Sequence, residues 1–250
     1  MNKVNINKKR IDQILFEKGL VDSRNKAQAL IMAGQVYSNN KIVKKSGEFF
    51  NWDIDIKIIR KKNNWVSRGA LKIEPIIINH KIEVKDKICL DIGSSTGGFT
   101  EVLLNYGAKK IYAVDVGYGQ LHERIKKNNK VISMERKNAR YLSSKEIVEE
   151  IDLLVCDASF ISLKKVISKS IEFLNKNGKL IGLIKPQFEA NRNEVKKGGV
   201  IKNTLVHNRV CKEVKNWLIE EKKMKVLDIV ESPIKGPKGN IEYFVIATKA

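Results

Sequence analysis

The chain has 250 residues, 42% of them hydrophobic, which is enough for one medium-sized domain and one small one. Its 48 basic residues against 28 acidic ones give a formal net charge of +20 at pH 7, so a polyanionic partner such as nucleic acid is expected. No run approaches the roughly 18 to 20 apolar residues that a membrane span requires.

Two further features predict a cytoplasmic protein with no stable membrane association. Residues 1–16 contain lysines but lack the apolar core of a signal peptide. The three cysteines, Cys89, Cys156 and Cys211, are unpatterned and lie in apolar runs, which is typical of core residues in a reducing compartment.

Residues 8–60 form a small basic module of two short helices followed by short strands. Apolar residues at helical spacing predict a first helix that ends at Gly19 and a second one, capped by Asp22 or Ser23, that ends before Gly34. Strands are predicted at residues 35–38, 41–43 and 53–59. Because basic residues outnumber acidic ones here, the module is a candidate nucleic-acid-binding domain.

Residues 10–36 resemble an S4 domain, an RNA-binding module. The resemblance rests on residues at the usual spacing, namely Ser23, Arg24, Ala27, Gly34 and Val36. It implies that four side chains face RNA, those of Arg10, Ser23, Arg24 and Lys26. The family's Val-Asn-Gly turn is replaced at residues 38–41, but Asn tolerates the left-handed conformation that Gly supplies, so the hairpin is expected to form.

Residues 61–66 are predicted to be a linker to a larger domain at residues 67–250. Ser67 is expected to cap the helix that opens this domain, and Pro75 to end or kink it near Glu74.

Residues 87–100 are a short apolar run that ends in Asp91 and a glycine-rich loop ahead of a helix, which is typical of a site for a nucleotide-like ligand. A P-loop is excluded because no Gly-Lys-Ser/Thr follows Gly97 and Gly98, and the G-x-G-x-x-G spacing is absent after Gly93. The strand ends in an acid, and the loop after it has no phosphate-binding motif. This combination suits a nucleotide-like ligand that carries an amino acid instead of a pyrophosphate. A tight turn in another doubly wound domain is the alternative.

Residues 91–99 resemble motif I of the class I S-adenosylmethionine-dependent methyltransferases. The resemblance implies that S-adenosylmethionine binds here. The cofactor contacts predicted in this loop are Asp91, Gly93, Ser94, Ser95, Thr96, Gly97, Gly98 and Phe99.

After this loop, strands and helices alternate, which predicts a mostly parallel sheet covered on both faces. Strands are expected at residues 110–116, 130–135, 151–157 and 179–185, followed by an antiparallel hairpin of residues 225–231 and 241–247. The predicted fold class is α/β, a Rossmann-like methyltransferase sheet behind a small α+β module. Ligands of such sheets bind at the carboxyl ends of the strands.

Polar residues at these strand ends are further candidates for cofactor contacts. Asp115 ends the second strand, where an acid can accept hydrogen bonds from both ribose hydroxyls, and Val116 follows it. Asn138 is placed to hydrogen-bond the adenine edge, and Asp157 is counted among the cofactor contacts as well.

The residues after the fourth strand bear on what is methylated. Enzymes that act on exocyclic amino groups carry Asn/Asp-Pro-Pro-Tyr/Phe here, whereas residues 157–160 contain no proline. Carbon-5 methylation needs a nucleophilic cysteine, but Cys156 is expected to point into the sheet, away from Asp157. A hydroxyl acceptor needs a base. Lys185 is the candidate base and Lys72 a second cation.

Lys72, Asp157, Lys185 and Glu242 match the Lys-Asp-Lys-Glu tetrad of the FtsJ-type ribose 2'-O-methyltransferases. With the motifs at residues 67–72, 157–162, 183–189 and 232–242, they resemble the TlyA family, which joins an S4 domain to an FtsJ-type domain. The resemblance implies that these four residues are catalytic and that Arg68 contacts RNA. It also implies methyl transfer to the ribose 2'-hydroxyl of cytidine in 16S or 23S ribosomal RNA, free or in ribosomal subunits, without a metal.

Two alternatives stay open. The TlyA family is also named hemolysin A, so a membrane-active protein is one of them, although the sequence contains neither an apolar span nor a strongly amphipathic helix. The other is a relative that binds RNA without turnover, and the presence of all four tetrad residues argues against it.

Overall fold

The computed structural model describes residues 8–32, 34–39, 41–58, 65–195 and 198–249. These residues fall into two compact units, one within residues 8–58 and the other from Trp65 to residue 249. Residues 61–64 of the predicted linker, like residues 59 and 60 of the predicted first domain, lie outside the described residues.

The first unit packs two helices, α1 (Ile11–Glu17) and α2 (Arg24–Met32), over two small antiparallel sheets. Its strands are β1 (Lys8–Arg10), β2 (Val36–Ser38), β3 (Lys41–Ile42), β4 (Phe49–Asn51) and β5 (Ile56–Ile58). Strand β1 pairs with β4, and the second sheet has the order β3-β2-β5. The antiparallel pairing of β2 with β3 confirms the predicted hairpin, and Asn39 in its turn has φ +47°. Residue 40, which takes the place of the family's Gly, lies outside the described residues.

A seven-stranded sheet forms the centre of the second unit within the residues described from Trp65 onward. Its strands are β6 (Ile88–Ile92), β7 (Lys110–Val114), β8 (Val131–Met134), β9 (Ile151–Cys156), β10 (Leu174–Ile184), β11 (Met224–Glu231) and β12 (Tyr243–Lys249). The helices are α3 (Gly69–Asn79), α4 (Gly98–Asn105), α5 (Glu123–Lys126), α6 (Leu163–Ile167), α7 (Pro186–Glu189) and α8 (Thr204–Glu220). Short 3-10 helices lie at Ala139–Tyr141, Ser170–Phe173 and Arg192–Glu194.

The strand order is β11-β12-β10-β9-β6-β7-β8. Strands β6 to β10 pair in parallel, and β12 is antiparallel to both β10 and β11, which confirms the predicted fold class. Side chains alternate between two cores, with Leu90 and Leu154 in one and Cys89 and Val155 in the other. The chain reverses its direction of strand addition between β6 and β9, so a ligand crevice opens at their carboxyl ends.

Helix α3 does not end at Pro75 but continues to Asn79. An interior proline costs about 3 kcal/mol because it lacks an N–H donor. Ile73, Ile76 and Ile77 of the same helix are buried, and burying each isoleucine side chain contributes about 1.5–3 kcal/mol. The burial of the apolar face therefore outweighs the cost of the proline, and the helix continues past it.

Asp12 is the buried acid at the centre of the first unit, with no exposed surface. Its carboxylate accepts hydrogen bonds from Arg10 at 2.9 Å, Gln28 at 2.8 Å and Arg24 at 3.3 Å. The hydrogen bonds of Arg10, followed by those of Gln28 and Arg24, hold the pKa of Asp12 well below its usual range. Two residues predicted to face RNA are thus anchored to one buried carboxylate.

Asp12→Asn should destabilise the first unit at pH 7 by about 1–3 kcal/mol, because the donors of Arg10 and Arg24 lose their charged acceptor. The pKa of Asp12 in the folded state lies below the unfolded value of about 3.9, so its contribution is complete above that pH and is lost as the pH falls toward the folded pKa. Urea unfolding of the full chain, read by pulsed hydrogen exchange of α1 and α2, measures both effects.

Asp22→Asn is the matched control, because the ion pair of Asp22 with Lys26 is exposed and its loss should change the stability by no more than about 0.5 kcal/mol. Equal stability of the wild type and Asp12→Asn at pH 7 would contradict the account, as would wild-type stability that is unchanged below about pH 4.

Candidate active site

The loop that follows β6 passes very close to the end of β9. Gly93 has φ +78°, and a Cβ placed on it would lie 3.0 Å from backbone atoms of Ala158. A side chain would therefore be strained by the backbone conformation and would also collide with the neighbouring loop. Glycine at this position lets the loops after β6 and β9 line one crevice.

Asp91 supports this loop from below. It has no exposed surface, and Thr100 of α4 donates a 2.6 Å hydrogen bond to its Oδ2. Burial raises the pKa of Asp91 to about 7, and the nearby carboxylates of Asp157 and Asp115 add to the rise. Among the described residues Asp91 lines none of the cavities at this edge and lies beneath the predicted cofactor loop, and its contact with the cofactor stays a prediction.

Cavity A, of about 470 Å³, lies beside the ends of β6 and β7 and is lined by Asp115, Val116 and Asn138. The Asp115 carboxylate accepts backbone hydrogen bonds from Ser95 at 2.8 Å and Gly117 at 2.7 Å. Each carboxylate oxygen has two lone pairs, so both oxygens retain capacity for a ligand hydroxyl. The structure thus brings these three predicted residues to one cavity.

Cavity B, of about 270 Å³, adjoins cavity A. The predicted cofactor residues that line it are Gly93, Ser94, Ser95, Thr96, Gly98, Phe99 and Asp157. Gly97 is the exception among the loop glycines, because a Cβ on it would lie 2.6 Å from Ile125 of α5. Its φ of +96° makes it a turn residue packed against that helix.

Cavity C, of about 260 Å³, lies on the far side of Lys185 and is lined by Phe160, Phe188, Pro237 and Glu242. Ser159 lines cavities A, B and C, and Lys185 lines B and C. The three cavities are therefore contiguous around these two side chains.

Four charged side chains from four different elements meet at this junction. Lys72 of α3 contacts Asp157 at 3.2 Å and Glu242 at 2.9 Å, and Lys185 contacts Asp157 at 2.6 Å. The side chains of Lys72, Lys185 and Glu242 are less than 10% exposed. Two ammonium groups thus balance two carboxylates, so the cluster is neutral as a whole and its charges are buried in pairs.

The contact between Lys185 and Asp157 is an ion pair without hydrogen-bond geometry. Although the two atoms are 2.6 Å apart, Oδ1 of Asp157 has no hydrogen-bond partner among the described residues. The hydrogen bond that Lys185 does make is donated to Oγ of Ser159 at 2.8 Å.

Glu242 is enclosed by the loop that joins β11 to β12. A Cβ on Gly236 would lie 2.5 Å from Oε1 of Glu242, so glycine is required for the loop to fold over the carboxylate. Gln187 donates to the same carboxylate oxygen at 3.3 Å.

Arg68, predicted to contact RNA, lines cavity B and donates a hydrogen bond to the carbonyl of Lys235 at 3.1 Å. In the first unit, Lys26 pairs with Asp22 at 2.6 Å, and Oγ of Ser23 accepts a hydrogen bond from the backbone of Lys26. These side chains are exposed or at a cavity mouth, and their contact with RNA stays a prediction.

The sequence analysis assigned no role to Ser159, Phe160 or Phe188. Phe160 is 90% exposed at φ +64°, and its ring centroid lies 5.2 Å from that of Phe188. A bulky residue in the left-handed region is uncommon. Each ring lies three residues after a tetrad residue, Phe160 after Asp157 and Phe188 after Lys185, and this spacing is the signal that could have identified them.

Comparison with known proteins gives matches over both units. The model of the FtsJ-like methyltransferase family matches residues 65–249, and that of the S4 domain matches residues 9–49. The 16S/23S rRNA (cytidine-2'-O)-methyltransferase TlyA of Mycobacterium tuberculosis (strain H37Rv) is 37% identical over 237 residues, 94% of this chain and 88% of that protein. Hemolysin A of Brachyspira hyodysenteriae is 40% identical over 236 residues, 94% of this chain and 97% of that protein.

Among solved structures, the O-methyltransferase from Bacillus cereus shares the fold, with a TM-score of 0.52 and 16% identity over 74% of this chain and 82% of that one. A search of the described residues finds no helix with the length and apolar character of a membrane span.

Glu242→Ala should destabilise the second unit by about 3–5 kcal/mol, because it removes the carboxylate nearest to the buried ammonium of Lys72. Urea unfolding read by pulsed hydrogen exchange of β10 and β12 measures the loss. Glu172→Ala is the control, because the pair of Glu172 with Lys169 is exposed and should contribute no more than about 1 kcal/mol. A Glu242 variant as stable as the control would show that the cluster does not hold these elements together.

Proposed function

This chain belongs to the FtsJ-like methyltransferase family, and from that premise we propose that it transfers a methyl group from S-adenosylmethionine to the ribose 2'-hydroxyl of cytidine in 16S or 23S ribosomal RNA. The observation that carries the proposal is the buried cluster of Lys72, Asp157, Lys185 and Glu242 at the junction of three cavities.

The residues at cavities A and B fit S-adenosylmethionine. Gly93 lets the loops after β6 and β9 approach closely, and both cavities are lined by residues of these two loops. Asp115 offers acceptors for ribose hydroxyls and Asn138 an amide for the adenine edge, with Val116 as an apolar wall. When bound, the cofactor supplies an electrophilic methyl group on its sulfonium.

The tetrad supplies the base that a hydroxyl acceptor needs. Lys185 at the junction of cavities B and C acts as the neutral amine, after its ammonium has released one proton to solvent. Its Nζ accepts the 2'-hydroxyl proton as the oxygen becomes nucleophilic and so becomes an ammonium again. Asp157 lies between both ammonium groups and offsets their charge, and Glu242 holds Lys72 so that it faces the same junction. The chemistry needs no metal ion.

Cavity C suits the target nucleoside. Its wall carries the rings of Phe160 and Phe188 on one side of Lys185, and exposed aromatic rings stack on unpaired bases. A cytidine held there places its ribose beside the amine. RNA in a paired helix does not offer a base in this way, so the substrate nucleotide is unstacked or flipped.

The S4 unit and the net charge of +20 account for binding to ribosomal RNA. Arg10 and Arg24 are each nearly half exposed while anchored to Asp12, so they present fixed positive charges to phosphates. An enzyme that modifies ribosomal RNA works where ribosomes are assembled, which supports our proposal that this protein acts in the cytoplasm.

Lys185→Ala should lower the rate of methyl transfer from labelled S-adenosylmethionine to ribosomal RNA by about a hundredfold to ten-thousandfold, the contribution of a positioned general base. Cofactor affinity should stay near that of the wild type, because the cofactor's recognition groups lie in cavity A. Lys215→Ala, an exposed lysine of α8, is the control and should retain full activity. An active Lys185→Ala variant would show that the base is another group, and an inactive wild type on ribosomal subunits would overturn the proposed function.

Gly93→Ala should abolish the binding of S-adenosylhomocysteine in calorimetry, because its Cβ would press on the backbone of Ala158 and displace the loops that line cavities A and B. Gly239→Ala is a matched control: Gly239 also has a positive φ, +86°, but a Cβ on it meets no atom within 4 Å. The control variant has a similar backbone strain and should keep its affinity for S-adenosylhomocysteine. Equal affinities of the two variants would argue that cavities A and B are not the cofactor site.

A further inference from the structure

We infer that Ser159 is a positioning residue for Lys185: it fixes the rotation of the amine so that the lone pair of Nζ faces the 2'-hydroxyl. The inference rests on the proposed function, because it concerns how the proposed base is aimed. It adds a fifth residue, uncharged, to the four charged ones.

Lys185 has two polar neighbours with different roles: Asp157 compensates the charge of its amine, and Ser159 orients the amine. Asp157 lies 2.6 Å from Nζ as an ion-pair partner, and its Oδ1 has no hydrogen-bond partner among the described residues. Ser159 accepts a hydrogen bond from the same nitrogen at 2.8 Å. Among the described residues, this is the hydrogen bond recorded for the amine, and it sets the rotation about the Cε–Nζ bond.

A tetrahedral nitrogen with one N–H fixed has its two other positions fixed as well. Lys185 lines cavities B and C, where methyl donor and ribose meet in the proposed function, and the Asp157 carboxylate lies 2.6 Å from the same nitrogen. We infer that one of the two positions faces that carboxylate and the other faces the junction. In the neutral amine one of them is the lone pair. It takes the 2'-hydroxyl proton, which stays on Nζ, while Ser159 keeps its own proton throughout.

Ser159 can act in this way because its loop is anchored on both sides. Before it, Ala158 packs against Gly93. After it, Glu189 accepts hydrogen bonds from Oγ of Ser162 at 2.7 Å and from the backbone of Leu163 at 2.5 Å. Glu189 follows closely on Lys185 in the chain, so the same short segment carries the amine and ties down the loop of its acceptor.

The test is the pair Ser159→Thr and Ser159→Val, which differ by a hydroxyl in place of a methyl group at nearly equal volume. In methyl transfer to ribosomal RNA, Ser159→Val should lose about tenfold to a hundredfold in kcat, as expected for a hydrogen bond to a charged group. Ser159→Thr should stay within about threefold of the wild type, since one hydrogen bond is retained. KM for both substrates should change little in either variant.

Ser159→Ala removes the hydroxyl without adding bulk and should match Ser159→Val, which guards against a misfolded β-branched variant. Equal kcat values for Ser159→Thr and Ser159→Val, whether high or low, would overturn the inference, because the hydroxyl would then not matter. So would a wild-type kcat in Ser159→Ala. An inactive wild type would instead overturn the proposed function, so the two failures are distinguishable.

Discussion

The site depends on a neutral cluster of charges that four elements bury together. Each of its members would be costly to bury alone, since the effective penalty is several kcal/mol per ion. Each charged group is paired with a group of opposite charge from another part of the chain. The four groups are Lys72 from α3, Asp157 after β9, Lys185 after β10 and Glu242 before β12. Apolar side chains of similar volume would serve stability as well or better, so the cluster is best explained by chemistry.

The topology explains why these groups can meet. The order of strand addition reverses between β6 and β9, and β12 is inserted antiparallel between β10 and β11. As a result, the loops after β6, β9 and β10 and the loop before β12 open at one edge. Gly93 and Gly236 allow close approaches there, the first against Ala158 and the second against Glu242. Cavities A, B and C follow from that convergence.

The sequence could predict the strands and the polar residues at their ends because a parallel sheet buried on both faces demands continuous apolar runs. It could also predict the hairpin of β2 and β3, since Asn tolerates a positive φ. It could not predict that α3 passes through Pro75, because the tertiary burial of Ile73 and Ile76 decides that. Strands β1 and β4 were missed because each has three residues and no alternation to detect.

Within the site, the sequence motifs were sufficient to identify the four tetrad residues. They could not show which of these side chains contact each other. Asp91 matched the cofactor motif, yet it lies beneath the loop with its hydrogen bond to Thr100. Ser159 is uncharged, and nothing in the sequence indicates a role for it. Its proposed role depends on the structure, in which Lys185 donates a hydrogen bond to Ser159 and forms an ion pair with Asp157. Such relations depend on side-chain direction, which spacing along the chain does not encode.

The central claim is that the acceptor atom is a ribose oxygen of cytidine in ribosomal RNA. The most direct measurement is nucleoside mass spectrometry of ribosomal RNA, taken from unmodified ribosomal subunits after incubation with the protein and isotopically labelled S-adenosylmethionine. The account predicts that the label appears in 2'-O-methylcytidine. Label in a base-methylated nucleoside, or in the 2'-O-methyl derivative of another nucleoside alone, would contradict it.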